Sequence, residues 1–381
     1  MDGLLIHADT VRSATLRHEV PLAIIDPFTY LEADGRRVAV VSSLESDRVA
    51  EVAPDIEIID PHELGWDELL AQGLNWDEGN VELALRACRR LELARVRVPG
   101  STGVALADRL REDGIEVVVD DAEFERRRRA KNELEIAGVR RAQAAATAAM
   151  GVAAALLRSA TDVDGVLHVD GEPLTAERVR GAMRDHAAAQ GCPMPGDVIV
   201  AAGAAGASGH DPGSGPLPAG SPIVIDIWPH DEPSSCWADM TRTFVAGAPA
   251  ADDVVEMHHL CFEALENVKA VARPGVTGNE LYGIACDVFE AAGHPTQRTK
   301  PEGENLRDGF YHSLGHGVGL EVHEYPSLGR SGNEPLVPGD VIAVEPGTYR
   351  HGYGGVRLED LLLITADGCE VLADFPYELS P

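Results

Sequence analysis

Short β-rich runs alternate with helical periodicity through the first third of the chain. Leu22–Ile25, Arg37–Val41 and Glu116–Val119 read as strands, whereas Asp67–Leu70 and Glu82–Leu93 read as helices. This predicts an α/β domain at the N-terminus, and it carries no catalytic cluster. Near Asp120 the texture changes. The basic run Arg126–Arg129 with Lys131 is expected as a solvated helix at a domain junction, which places the boundary between Asp120 and Ala130. The Ala-rich stretch Ala142–Leu157 reads as a packed helix, shorter than the roughly 20 residues of a membrane span. Thr175 with Glu177 marks another helix start, and Val254–Val271 is a third helical stretch. Beyond Asp197, glycine turns and β runs dominate.

Charge narrows the class of partner. The chain has 381 residues, 32 basic against 63 acidic side chains, and a net charge of −31. Such an excess of carboxylate repels phosphate backbones and anionic lipid, so neither nucleic acid nor a membrane surface is an expected partner. Six cysteines without a CxxC pair suit reduced thiols. Asp2, His7, Asp9 and Arg12 interrupt any apolar leader, so a cytoplasmic location is the expectation.

An internal repeat carries the chemistry. Gly220–Asp226 and Gly339–Glu345 both run turn glycine, apolar strand, carboxylate. Each is followed by a second strand with its own acid: Asp239 thirteen residues after Asp226, and Glu359 fourteen after Glu345. A carboxylate in an apolar strand is costly unless paired or bound to metal. Two hairpins of like design therefore predict a pseudo-symmetric domain with four carboxylates facing one cavity. Between them lies the histidine cluster His312, His316 and His323, with Gly315 and Gly317 flanking His316 and leaving room for close backbone approach to an ion. Carboxylate and imidazole without thiolate favour Mn²⁺, Fe²⁺, Co²⁺ or Zn²⁺ in a catalytic rather than a structural site. Bridging carboxylates can hold two ions about 3.5–4 Å apart and activate water between them. Residue type and spacing thus reach a dinuclear metallohydrolase, but no substrate. Gly203–Gly209 lacks the lysine of a phosphate loop, and no GxSxG elbow supports a serine hydrolase. Cys236 reads as a small buried residue rather than a nucleophile.

At Ala238–Thr243, Gly315–Gly319, Val344–Gly347 and Arg357–Asp360 the chain resembles the metallopeptidase family of methionine aminopeptidase, aminopeptidase P and prolidase. The resemblance implies a pita-bread catalytic domain, α+β with a pseudo-two-fold repeat, over residues 126–381. It implies a creatinase/prolidase-like α/β domain over residues 1–125, which sets the chain apart from methionine aminopeptidase. It also implies five metal ligands, Asp226, Asp239, His316, Glu345 and Glu359. Asp226 would serve one ion, His316 and Glu345 the other, and Asp239 and Glu359 both. The expected cofactor is a pair of divalent ions, Mn²⁺ first, with Co²⁺, Zn²⁺ or Fe²⁺ as alternatives. By the same likeness His210, His312, His323, Tyr349 and Arg357 contact substrate, Glu345 shuttles a proton, and His323 and His210 assist catalysis.

The activity this implies is hydrolysis of Xaa-Pro bonds in short proline-containing peptides, as a dipeptidase or an aminopeptidase, by a homodimer. The segment after Asp226 departs from the family pattern by about two extra residues, so that Trp228, His230 and Asp231 would reshape the mouth of the site. Two other readings stay open on the same fold: hydrolysis of another small amide of the ectoine type, and a non-enzymatic peptide-binding module.

Overall fold

The computed structural model describes residues Met1–Pro381, which divide into two compact units, Met1–Arg128 and Arg129–Pro381. The first unit is built on a six-stranded mixed sheet. In spatial order its strands are Ile56–Ile59, Arg36–Val40, Phe28–Ala33, Asp2–Ala8, Arg95–Val98 and Glu116–Val119. Their alternating side chains fill two apolar clusters, one of which also takes Leu83, Ala84 and Ala87 from the helix Trp76–Arg90. A capping box fixes the start of that helix: Asn75 and Glu78 exchange side-chain and backbone hydrogen bonds.

Leu22–Ile25, expected as a strand, joins no ladder. The Thr10 hydroxyl donates to the Leu22 carbonyl, and the Ile24 amide donates back to that hydroxyl at 2.7 Å. Ile24 is buried and Leu22 packs partly buried beside it while Ile25 is 74% exposed, so this apolar run feeds the core from a loop. The strands Asp2–Ala8 and Phe28–Ala33 were not expected from the pattern. They pair with each other in the middle of the sheet.

In the second unit, two halves share a plan of two packed helices and an antiparallel sheet. The first half has the helices Glu133–Ser159 and Ala176–Ala188 and the three strands Ile199–Ala202, Ile223–Ile227 and Met240–Phe244. The second has Asp252–Lys269 and Gly278–Ala291 with five strands, in the order Glu324–Leu328, Gly315–Gly317, Val341–Val344, Asp360–Ile364 and Cys369–Val371. Each half inserts a small two-stranded hairpin between the paired strands, at His230–Trp237 and at Gly347–Arg357. The helix Glu133–Ser159 buries Ala142, Ala145, Ala146, Ala149 and Ala153, and its small residues let neighbouring elements approach closely. No helix is long and apolar enough to cross a membrane.

The basic run is not a solvated helix throughout. Arg129 is buried and forks onto Asp340 at 2.7 and 2.9 Å, with Glu334 at 2.9 Å, and buried Lys131 pairs with Glu324. Charge spacing on one element cannot show that acids more than 190 positions away will cover it.

Candidate metal centre

The site forms where the two halves of the second unit meet. Asp226 lies within the strand Ile223–Ile227, opposite Thr241. Asp239 comes immediately before the partner strand. His316 is the middle residue of its strand, between Ser327 and Ala343 of the neighbouring strands. Glu345 follows Val341–Val344, and its amide donates to the Leu314 carbonyl at 2.8 Å. Glu359 is stitched to the other half: its amide donates to the Thr241 carbonyl at 3.1 Å, and the Thr241 hydroxyl donates to its Oε2 at 2.7 Å. All five line one cavity of about 990 Å³.

Ligand atoms of Asp239, His316 and Glu359 lie within 4.8 Å of one another. His316 Nδ1–H donates to the Gly317 carbonyl at 3.0 Å, which leaves the Nε2 lone pair facing Asp239 Oδ2 at 3.7 Å and Glu345 Oε1 at 3.9 Å. Burial, with the charge of His323, lowers the His316 pKa to about 4, so the imidazole is neutral and free to coordinate at neutral pH. The flanking glycines are also required by the neighbouring strands. A Cβ on Gly315 would stand 1.9 Å from the Ala343 carbonyl oxygen, and one on Gly317 would stand 2.1 Å from that of Tyr325. They admit the adjacent strands.

The acids are crowded beyond what one cation relieves. Burial and then the neighbouring carboxylates raise Asp239 and Glu359 well above the usual carboxylate range, while burial pushes Glu345 up to about 8 against the pull of Arg357. Arg357 is the one guanidinium among them, donating to Asp226 Oδ2 at 2.6 Å with its Nε 3.8 Å from Glu345. Asp226 Oδ1 is buried without a hydrogen-bond partner. Buried carboxylates, an orphaned oxygen and a neutral imidazole with its lone pair directed at them suit divalent metal ions.

This has a testable consequence for pH. A carboxyl raised on folding binds its proton more tightly folded than unfolded, so stability falls as pH rises from the ordinary value near 4.5 to about 8. Buried histidines such as His312 and His316 oppose this trend up to about pH 6.5, so the melting temperature of metal-free protein should fall between pH 7 and 8, and saturating Mn²⁺ should flatten the curve. A flat metal-free curve would contradict this electrostatic account.

The other expected site residues divide. Arg357 Nη1 donates to the Tyr349 hydroxyl at 2.9 Å, which donates to His312 Nε2 at 2.9 Å, while His312 Nδ1–H donates to the Ser313 carbonyl at 2.7 Å. Burial, and then the charge of Arg357, hold His312 neutral, with its pKa lowered to about 3 against the pull of the Ser313 hydrogen bond. Tyr311, not anticipated, stacks on Tyr349 at 4.7 Å and donates to the Ala207 carbonyl at 3.0 Å. His323 packs edge-on against the His316 ring at 4.2 Å, in a bend. His210 and His323 are exposed at the cavity wall. Of the three residues expected to reshape the mouth, only Trp228 lines the cavity. Asp231 is held by Arg141 at 2.8 and 2.9 Å, and the His230 ring packs on Trp237 at 4.6 Å.

Arg242 and Asp360 behind the site were also missed. Arg242 is 1% exposed and donates to Asp360 Oδ1 and to the carbonyls of Thr241, Glu359, Phe375 and Pro376. The available signal was the polar run Thr241-Arg242-Thr243 inside a strand whose every residue is buried.

Residues 137–366 match the model of metallopeptidase family M24. The chain belongs to that family. It is 36% identical over 187 residues to an Xaa-Pro dipeptidase of Pyrococcus furiosus, covering 48% of this chain and 49% of that protein. It is also 37% identical over 184 residues to an Xaa-Pro dipeptidase of Pyrococcus horikoshii, 48% of each chain. The chain thus spans about half the length of the curated relatives it matches. In fold the likeness is nearly complete. An X-Pro aminopeptidase from Thermotoga maritima superposes with a TM-score of 0.77 over 99% of this chain and 97% of its own, at 23% identity. The prolidase from Pyrococcus furiosus gives 0.76 over the same shares, also at 23% identity. The fold is therefore the pita-bread architecture with an α/β N-terminal unit.

Proposed function

We propose that the chain is a dinuclear metallopeptidase that hydrolyses peptide bonds to proline, with Mn²⁺ as its working ion. The observation that carries the reading is the convergence of Asp226, Asp239, His316, Glu345 and Glu359 on one cavity. Asp239 and Glu359, whose ligand atoms cluster with that of His316, would bridge two ions. Asp226 would complete one ion, and His316 with Glu345 the other. When bound, such a pair polarises a carbonyl oxygen and lowers the pKa of water to near neutrality. Glu345 would carry a proton to the leaving nitrogen. His323 and His210 donate hydrogen bonds to the developing oxyanion from the exposed wall.

Proline fits the remaining wall. Its nitrogen in an Xaa-Pro bond has no hydrogen to donate, so recognition must use ring shape and the adjoining carbonyl or carboxylate. The Tyr311 ring, backed by buried Tyr349, offers an apolar face to the cavity, and His312 and Arg357 line it with polar groups. The names of the relatives at 36–37% identity support the same choice. The test uses Mn²⁺-reconstituted protein with Ala-Pro, Ala-Pro-Gly and Ala-Ala. Cleavage of one or both proline substrates and sparing of Ala-Ala are expected. Equal cleavage of Ala-Ala would overturn proline specificity, and no cleavage of any would overturn the peptidase reading.

A further inference from the structure

A second compartment opens off the cavity. Its volume is about 570 Å³, within the range of small-ligand pockets, and it shares Tyr311, His312, Ser313 and Ser327 with the space that holds the metal box. None of the five proposed ligands lines it. Ser327 stands directly opposite His316 in the antiparallel pair, so the two side chains look onto one face, and the serine marks the doorway between the two spaces.

The chemistry of the compartment is the reverse of the metal box. None of the chain's 63 acidic side chains lines it. The hydroxyls of Ser313 and Ser327 have no hydrogen-bond partner within the chain. Gln297 donates one amide hydrogen to the Tyr311 carbonyl at 2.5 Å, which leaves its amide oxygen to accept. With His312 neutral, Arg330 is the one charged side chain of the lining, exposed and without an ion-pair partner. Its backbone is fixed. The Gly332 amide closes the turn onto the Gly329 carbonyl at 3.0 Å, and the Asn279 side chain donates to the Arg330 carbonyl at 3.0 Å. A free guanidinium and free hydroxyls with no acid among them suit a carboxylate.

We propose that this compartment receives the residue that follows proline and pairs its terminal carboxylate with Arg330, so that the chain is an Xaa-Pro aminopeptidase that prefers tripeptides. The assignment rests on the proline-peptidase reading above. With proline against Tyr311 and His312, its nitrogen belongs to the bond held at the metal ligands. Its carbonyl leaves on another side, and the compartment borders the same two residues with no ligand in it. The following residue enters past the short Ser327 side chain. A dipeptide has no residue to place there.

The experiment compares kcat/KM for Ala-Pro-Gly, its C-terminal amide and Ala-Pro on Mn²⁺-loaded protein, with calorimetric Kd values for Pro-Gly and for proline. Ala-Pro-Gly should exceed Ala-Pro by about tenfold and its amide by about threefold. Arg330→Gln should remove the advantage of the free acid over the amide. Ser327→Leu should narrow the doorway and reduce the tripeptide-to-dipeptide ratio by about tenfold, with Pro-Gly then bound no more tightly than proline. Arg330 is exposed and its turn is held through the backbone, so that variant should fold, and melting temperatures check both. Equal or better use of Ala-Pro by the wild type would overturn the proposal, as would an acid-to-amide ratio unchanged in Arg330→Gln or a tripeptide-to-dipeptide ratio unchanged in folded Ser327→Leu. If no Xaa-Pro substrate is cleaved, the proline reading fails, and the Kd values still decide the compartment. Tighter binding of Pro-Gly than of proline, lost in the variants, would retain it, and equal binding would remove it.

Discussion

Asp239→Ala should strip both metal ions from the protein, whereas Asp226→Ala should chiefly lose one. In the proposed arrangement Asp239 is shared by the two ions, while Asp226 serves a single one. Loss of both removes several kcal/mol of transition-state stabilisation, so turnover should fall by about 10³-fold or more. The fold should survive. Asp239 carries an ionisation made costly by burial and by Glu359, Asp226 and Glu345, so its removal relieves the metal-free protein of repulsion. Metal content after dialysis, turnover and metal-free melting temperature would be measured on one preparation. Two ions retained per chain by Asp239→Ala would remove it from the bridging position. A collapse in metal-free stability would give it a structural role instead.

Arg242→Ala should act in the opposite manner, through the fold. The guanidinium is buried against Asp360, which is itself 0% exposed and also held by Lys269 at 3.0 Å and by the Tyr377 hydroxyl at 2.5 Å. Truncation leaves Asp360 short of one cation and removes a donor from four carbonyls, among them that of the proposed ligand Glu359. Breaking a buried pair in this way costs about 3–5 kcal/mol. For a unit of this size that is a fall of about 10 °C in melting temperature. Metal affinity should weaken as well, because the Glu359 backbone loses its anchor. Arg242→Lys should be intermediate, since one ammonium cannot replace a fork that reaches five acceptors. A melting temperature within about 2 °C of wild type would show that the network is dispensable.

The carboxylates of the site were legible because each violates its surroundings. Asp226 follows Ile223, Val224 and Ile225, and Glu345 follows Ile342, Ala343 and Val344. An acid in such a run calls for a compensating partner, and the repeated spacing to Asp239 and Glu359 indicated where the others stand. The pita-bread fold was readable through the same motifs. What escaped were relations that no local pattern encodes. Arg129 and Lys131 resemble a solvated run until distant Asp340 and Glu324 close over them. Leu22–Ile25 has strand composition, but the Thr10 hydroxyl takes up its backbone groups. That strand packing requires Gly315 and Gly317 depends on the carbonyls of Ala343 and Tyr325, which no local pattern places beside them. Tyr311 has no periodic or charge signature, and its place in the cavity follows only from the tertiary stack on Tyr349.

The central claim is that the five converging side chains hold two cations. The direct measurement is the number of Mn²⁺ ions bound per chain when metal-free wild-type protein is reconstituted, dialysed and analysed by elemental mass spectrometry. The account predicts two per chain, with protons released on binding as the raised acids give up their hydrogens. One ion per chain would contradict the dinuclear arrangement, and none would contradict the metal centre itself.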